Sequence, residues 1–207
     1  MLLSQKTNLM RGALAPLIFA CSFAVSNVAY AADENGKFAI KGGGLQTCVK
    51  FVEAMDAGSQ DVALYGGWIE GFITAQNQQN DDTFDITPWQ TTNTLLSLTK
   101  AVCEQANEGA RFVDGFAGVY RLLFPSRLQT ESEPLGLSNG EARSVAYREI
   151  LKRVQIALRD QGYDIPDEDG NFDQAAIGQL IEYQRAKGLT ASGLPDQPTL
   201  YSLFFKK

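Results

Sequence analysis

The side chains that could carry out chemistry are few, because the 207-residue sequence contains no histidine. Ser–His–Asp catalysis, Cys–His catalysis, histidine-ligated zinc and imidazole pH switching are therefore all excluded. A hydrolase of this composition would need paired carboxylates, and the sequence offers Glu70 with either Glu53 or Asp56. Because Glu70 falls on the polar side of a predicted helix, we predict that the chain is not an enzyme and binds no cofactor.

The acidic segments lack the ligand spacing of a metal site. Residues 167–173 contain three aspartates and a glycine, as a calcium-binding loop does. In the register of an EF-hand, however, Ile165 would be the first ligand and Ala176 the twelfth, and neither side chain carries an oxygen. Turn formation and helix capping explain the aspartates better, and no metal site is predicted.

The first 31 residues have the pattern of a secretory signal peptide. Two basic residues precede the apolar stretch 12–25, which is shorter than the roughly 20 residues that span a membrane. The small–x–small sequence ending at Ala31 predicts cleavage there and a periplasmic mature chain without a transmembrane segment. Lipidation of Cys21 is the less favoured alternative, since bulky Phe19 stands where a lipoprotein signal has a small residue.

Removal of the leader would leave two cysteines, Cys48 and Cys103. An even pair of cysteines in an exported protein favours a disulfide. The alternative is two free thiols or a reactive thiol, which would have no histidine to activate it. We predict the disulfide.

The net charge of −6 bears on the class of partner. Nucleic-acid binders need clusters of Lys and Arg to displace counterions from phosphates, so nucleic acid is excluded as a partner. The hydrophobic content of 44% is sufficient for one or two small packed domains.

Hydrophobic periodicity predicts an all-α protein made of two units. Residues 44–124 contain four helical patterns, and the second carries a broad apolar stripe from Leu64 to Ile73. Residues 125–140 are rich in Pro, Ser and Gly and predict a linker. Residues 141–206 contain three short helices separated by glycine-marked loops.

Capping patterns predict where several of these helices begin. The box Thr87–Gln90 would open the third helix, and the box Ser138–Glu141 would open the fifth, which continues to about residue 161. Asp173 and Asp196 are placed to cap the sixth and seventh helices.

The C-terminal unit carries a motif that extends over residues 145–206. It reads Val154-Gln155-x-x-Leu158-x-x-x-Gly162-Tyr163, Asp169-Gly170-x-Phe172, Tyr183-Gln184-x-x-x-Gly188-Leu189 and Gly193-x-x-Asp196-x-x-Thr199-Leu200-x-x-Leu203. In order and spacing it resembles the peptidoglycan-binding-domain-like family. The resemblance implies a three-helix fold and peptidoglycan as the ligand. Most motif positions are packing and turn residues, so the motif identifies the fold more firmly than the ligand.

The candidate ligand contacts are the aromatic and polar members of this motif, because sugars and stem peptides bind through aromatic faces and a few polar groups. They are Tyr163, Asp169, Gly170, Tyr183 and Gln184. For Tyr183, packing in the core is the competing role.

The motif also departs from the family pattern. Asp173 stands where the family often has Gly, Ala176 replaces Thr, Gln179 replaces Ala, and Tyr183 replaces Phe. The lost hydroxyl and the added carboxylate near the turn could weaken wall binding.

The N-terminal unit has a resemblance of its own. Thr47-Cys48-x-x-Phe51, Tyr65-x-x-Trp68-Ile69-x-Gly71 and the late-helix Cys103 are similar to small exported helical proteins, namely HdeA-type acid-stress chaperones and Tai-like immunity proteins. This implies a compact disulfide-stapled domain that could contact an envelope protein.

Together these features predict a non-catalytic envelope protein that binds peptidoglycan and localises the domain 44–124 at the cell wall. The alternatives are an inhibitor or immunity protein against a peptidoglycan hydrolase, and a periplasmic acid-stress chaperone.

Overall fold

The computed structural model describes residue 33 and residues 35–205. The predicted signal peptide, 1–31, and Cys21 lie outside the described residues. Among the described residues, Asp33 and 35–39 belong to one unit and 40–205 to a second, larger one. In the first unit, the Asp33 carboxylate accepts hydrogen bonds from the backbone N–H groups of Asn35 and Lys37, at 2.9 and 2.7 Å.

Four α-helices form the first half of the larger unit, as the sequence predicts for residues 44–124. They are α1 (Cys48–Asp56), α2 (Val62–Gln79), α3 (Thr92–Cys103) and α4 (Phe112–Leu123). A 3₁₀ turn, Gly42–Leu45, precedes them, and a second one, Phe124–Ser126, follows α4. The predicted start of α3 at Thr87 is wrong: the N-cap is Thr91, whose hydroxyl accepts from the N–H of Thr94.

The core of this half is built from interlocking aromatic rings. Phe51, Tyr65 and Phe112 lie in mutual contact, with ring centroids 4.6–4.9 Å apart. Trp68 packs its edge against Phe112 at 5.6 Å. Such tilted and edge-on pairs contribute beyond the apolar area they bury. The rings therefore fix α1, α2 and α4 around one centre.

A disulfide between Cys48 and Cys103 joins the first residue of α1 to the last residue of α3. The predicted bridge is thus confirmed. Gly115 of α4 lies directly against it, since a Cβ built there would stand 2.6 Å from Sγ of Cys103. Three helices therefore meet at the bridge, and glycine lets α4 approach it.

The segment between the two halves contains a β-hairpin, so the all-α prediction needs correction. Strand β1 (Pro134–Asn139) pairs antiparallel with β2 (Ala142–Tyr147), from Pro134 opposite Tyr147 to Asn139 opposite Ala142. Gly140 has φ of +58°, the conformation that a two-residue hairpin turn requires at its first position. The box at 138–141 therefore forms a hairpin turn and opens no helix. Part of the predicted linker 125–140 is likewise a paired strand.

Three α-helices follow the hairpin: α5 (Arg148–Asp160), α6 (Gln174–Ala186) and α7 (Gln197–Phe205). The two predicted aspartate caps are present, since Asp173 accepts from the N–H of Ala176 and Asp196 from the N–H of Thr199, both at 2.9 Å. Among the described residues no helix is long and apolar enough to cross a bilayer.

The two halves are docked against each other within the larger unit. Leu128, from the predicted linker, is 2% exposed and packs in the C-terminal core while its backbone pairs with Asp85. The ring of Trp89, which precedes α3, lies 5.8 Å from the ring of Phe204 in α7. Gln197 accepts from the N–H of Thr91 at 3.1 Å and donates to the carbonyl of Trp89. These contacts make 40–205 one packed body instead of two tethered domains.

Candidate functional site

Two buried glutamines hold the loops of the C-terminal half in the same way. On α5, Gln155 accepts from the N–H of Gly170 and donates to the carbonyl of Asn171, both at 2.8 Å. On α6, Gln184 accepts from the N–H of Gly193 at 2.8 Å and donates to the carbonyl of Leu194 at 2.9 Å. Each side chain thus satisfies one donor and one acceptor of a loop backbone. We call these two arrangements the glutamine clasps.

Both clasped glycines have geometry that excludes a side chain. Gly170 has φ of +78°, and a Cβ there would stand 2.5 Å from the carbonyl oxygen of Arg148. Gly193 has φ of +70°, and its Cβ would stand 2.7 Å from Ile177. Positive φ and close approach of this kind are tolerated only by glycine. The family-like motif therefore encodes loop shape.

The structure places three of the five predicted contact residues in the interior. Tyr183 and Gln184 are both 0% exposed, and Gly170 is also buried. The hydroxyl of Tyr183 is 2.7 Å from Oγ of Ser202, so its polar atom is satisfied inside the core. These residues shape the module and do not present a surface to a polymer.

The other two predicted residues reach the surface at different places. Tyr163 is half-buried and packs edge-on against Tyr183. Asp169 is exposed, and hydrogen bonds from the backbone and side-chain amide of Asn171 lower the pKa of its carboxyl. The hydrogen-bond partners of the Asp169 carboxylate therefore lie in its own loop. Asp169 also lines a cleft.

That cleft, the cationic cleft, has a volume of about 450 Å³ and lies between residues 127–132 and α5. Its basic lining residues are Arg127, Arg148, Lys152 and Arg153, and its acidic ones are Glu131, Glu149 and Asp169. The Arg148 guanidinium forms an ion pair with the Glu133 carboxylate at 2.9 Å and donates to the side-chain oxygen of Asn171 at 2.6 Å. Lys152 is exposed and, within the described residues, its ammonium group makes no ion pair or hydrogen bond. The cleft thus has one available cation.

A second cleft, the aromatic cleft, adjoins the first and has a volume of about 470 Å³. Its apolar lining residues are Trp89, Leu122, Pro125, Ile150, Phe204 and Phe205. Ser126 and Arg153 complete it, and Arg153 lines the cationic cleft as well. The Arg153 guanidinium donates to the carbonyls of Ser126 and Arg127, at 2.5 and 3.4 Å, so this shared side chain is held in place.

Two of the three candidate catalytic carboxylates, Glu70 and Asp56, have structural partners. Glu70 is exposed and accepts from the hydroxyl of Thr92 at 2.5 Å, while Asp56 lies 3.1 Å from Nζ of Lys100. Thr92 and Lys100 are both on α3, so these acids tie neighbouring helices to it. The described part of the chain contains no group of three or more His, Cys, Asp or Glu side chains arranged to hold a metal ion.

Comparison with known proteins identifies the C-terminal module. Residues 148–203 match the family model described as "Putative peptidoglycan binding domain". This match confirms the resemblance found in the sequence, and it covers α5, α6 and most of α7. Together with the disulfide it points to an extracytoplasmic or cell-wall location.

A curated relative is 28% identical in an alignment of 160 residues that covers 74% of this chain. It is described as N-acetylmuramoyl-L-alanine amidase CwlM of Mycobacterium tuberculosis. The chain spans 38% of the length of that protein. No solved structure matches the chain.

Apart from Asp169, sequence reasoning missed the residues of both clefts. Trp89 and Phe204 lie in different halves, and only docking of the halves brings them together. The one local clue was the spacing of Arg148, Lys152 and Arg153, which places three cations close together on the surface of α5. Because the chain as a whole is acidic, this cluster of basic residues stands out in the sequence.

Proposed function

We propose that this chain is a non-catalytic, exported envelope protein that binds peptidoglycan through its C-terminal module. Binding would keep the N-terminal helical domain, residues 44–124, at the cell wall of the periplasm, where it contacts an envelope protein partner. The family match to residues 148–203 is the observation that carries this proposal. Its mechanism is localisation, since tethering raises the effective concentration of a domain near wall-bound partners.

The geometry of the module supports a binding role over a catalytic one. Its buried polar side chains, Gln155 and Gln184, are used to clasp loops, and the Tyr183 hydroxyl is paired inside the core. The departure Asp173 also has a structural use as the cap of α6. What remains for a ligand is the surface around the clasped loops and the clefts beside α5.

The test is co-sedimentation of the full, disulfide-bonded chain with purified sacculi over a salt series. We expect retention at moderate salt. Two glycine substitutions form a matched pair: Gly193→Ala puts a methyl group 2.7 Å from Ile177, whereas Gly178→Ala on α6 meets no atom within 4 Å. Retention should fall in the first variant and persist in the second. A wild-type chain that stays in the supernatant at all salt concentrations would refute the proposal.

A further inference from the structure

The two clefts beside α5 meet at Arg153, which lines both of them, and together they form one groove. We call it the junction groove. One end is aromatic, with Trp89 and Phe204 in ring contact, and the other end is cationic. Trp89, Leu122 and residues 125–132 all lie outside the segment 148–203 that matches the family. The groove is therefore a feature of this chain with its halves docked, and the matched segment alone would lack it.

We propose that the junction groove binds a muropeptide segment of peptidoglycan, with sugar rings against the aromatic cleft and stem-peptide carboxylates in the cationic cleft. This inference rests on the proposed function and deepens it, because it names the ligand-contacting residues. It also assigns the N-terminal half a direct part in binding.

The shape and lining of the aromatic cleft suit a sugar. The cleft is bounded by aromatic rings and by Leu122, whose side chain is 57% exposed. Binding sites of this size are typically apolar and aromatic with a few polar groups that fix orientation. The fixed Arg153 guanidinium supplies such a group at the boundary between the two clefts.

The cationic cleft is complementary to carboxylates. Three of its basic side chains are held by protein acceptors: Arg153 by Ser126, Arg148 by Glu133, and Arg127 by the hydroxyl of Thr83 at 3.0 Å. Lys152 makes no such contact within the described residues and is exposed. The four basic residues of the cleft outnumber its three carboxylates, Glu131, Glu149 and Asp169, and Arg153 also pairs with Glu149 at 3.5 Å. Lys152 is therefore the cation that can meet an incoming anionic group. A stem peptide carries such carboxylates, and it is attached to the sugar that the neighbouring cleft would hold.

The experiment reverses the charge of the available cation in the full chain. Lys152→Glu should weaken retention on sacculi about tenfold, because an attractive contact becomes a repulsive one. Arg185→Glu is the matched control: it makes the same charge change at an exposed position on α6 whose side chain has no partner in the described structure. It should leave retention unchanged. Thermal unfolding of both variants checks that neither has lost its fold.

The aromatic cleft is tested by a second matched pair. Leu122→Gln should weaken retention about threefold through lost apolar contact. Leu64→Gln changes a leucine of nearly equal exposure, 55% against 57%, on α2 and outside the groove, and should not. Sacculi treated with an amidase to remove stem peptides separate the two ends: the wild type should then bind no better than Lys152→Glu, while Leu122→Gln should bind still less.

The outcomes distinguish this inference from the proposed function. If the wild type binds sacculi and both groove variants bind equally well, the groove is not the site and the proposed function stands. If the wild type does not bind at all, the proposed function itself fails. If Lys152→Glu and Arg185→Glu weaken binding equally, the effect is general electrostatic repulsion and the inference is overturned.

Discussion

At the scale of single residues, the C-terminal motif mainly determines the conformation of two loops. Gln155 and Gln184 each hydrogen-bond a loop backbone, and a glycine stands at the position where no side chain fits. A buried donor or acceptor that loses its partner costs about 1–3 kcal/mol. The motif therefore identifies the fold reliably, while ligand contacts fall to exposed residues that the motif does not specify.

Asp85 is the residue whose titration should affect stability. It lies at the junction with Leu128, where burial raises the pKa of its carboxyl against hydrogen bonds from Thr87 and Asn77 that lower it. A raised pKa in the folded state means that the ionised form destabilises the fold. The contribution of Asp85 is most favourable below its ordinary pKa of about 3.9 and is lost as the pH rises through the raised value.

We therefore predict that Asp85→Asn raises the melting temperature at pH 7 and that this gain shrinks as the pH falls through the raised pKa toward the ordinary one. Melting curves of both proteins between pH 3 and 8 measure it. A gain that grows on acidification would contradict the assignment. The sign of this effect bears on the alternative of an acid-stress chaperone, because Asp85 resists unfolding by acid.

At the scale of elements, the sequence predicts helices well wherever local pattern and burial agree. The stripe from Leu64 to Ile73 gives α2, and the aspartate caps give α6 and α7, because each of these features acts within a few residues. The capping box at 138–141 is misleading, because contacts outside these four residues decide their structure. Its residues pair with a strand whose far end is anchored by Arg148 donating to the carbonyl of Glu133. The hairpin ladder that extends to this contact overrides the capping pattern.

The candidate site was less predictable than the fold. Tyr183 and Gln184 are conspicuous in sequence because they belong to a motif, and the structure shows them buried. Leu122 is inconspicuous in the sequence, and its relation to Lys152 depends on how the two halves dock. A pattern within one segment carries no information about that docking.

The crossing of α1, α3 and α4 at the disulfide yields a second prediction. Replacing Cys48 and Cys103 by Ala should cost about 4 kcal/mol of unfolding free energy, the chain-entropy value for a separation of 55 residues. Gly115→Ala should cost about 1–3 kcal/mol in the oxidised protein, because its methyl group would stand 2.6 Å from Sγ of Cys103.

A double-mutant cycle makes this prediction specific to the bridge. In the Cys48→Ala/Cys103→Ala background the sulfur atoms are gone, so Gly115→Ala should cost much less than in the oxidised protein. Urea denaturation of the four proteins supplies the free energies. Gly67→Ala, at a helix position with no atom within 4 Å, should give the same effect in both backgrounds. Equal penalties for Gly115→Ala in both backgrounds would rule out the contact with sulfur.

At the scale of the whole molecule, docking of the halves should make residues 40–205 unfold as one body. The chain contains two tryptophans, and each reports on a different place. Trp68 lies in the N-terminal core, with its ring 5.6 Å from Phe112, and Trp89 lies at the junction against Phe204. Trp89→Phe and Trp68→Phe therefore provide one protein that reports on the core and one that reports on the junction.

In each variant, the tryptophan fluorescence transition in urea should coincide with the loss of helical circular dichroism, as a single cooperative transition requires.

Gln197→Met keeps the side-chain length but loses the hydrogen bonds to Trp89 and Thr91. It should lower the unfolding free energy by about 1–2 kcal/mol and move both midpoints together to lower urea. If Trp89 becomes exposed at lower urea than the helices are lost, the halves separate before they unfold. The junction groove would then be a transient surface, and wall binding would have to reside in the C-terminal module alone.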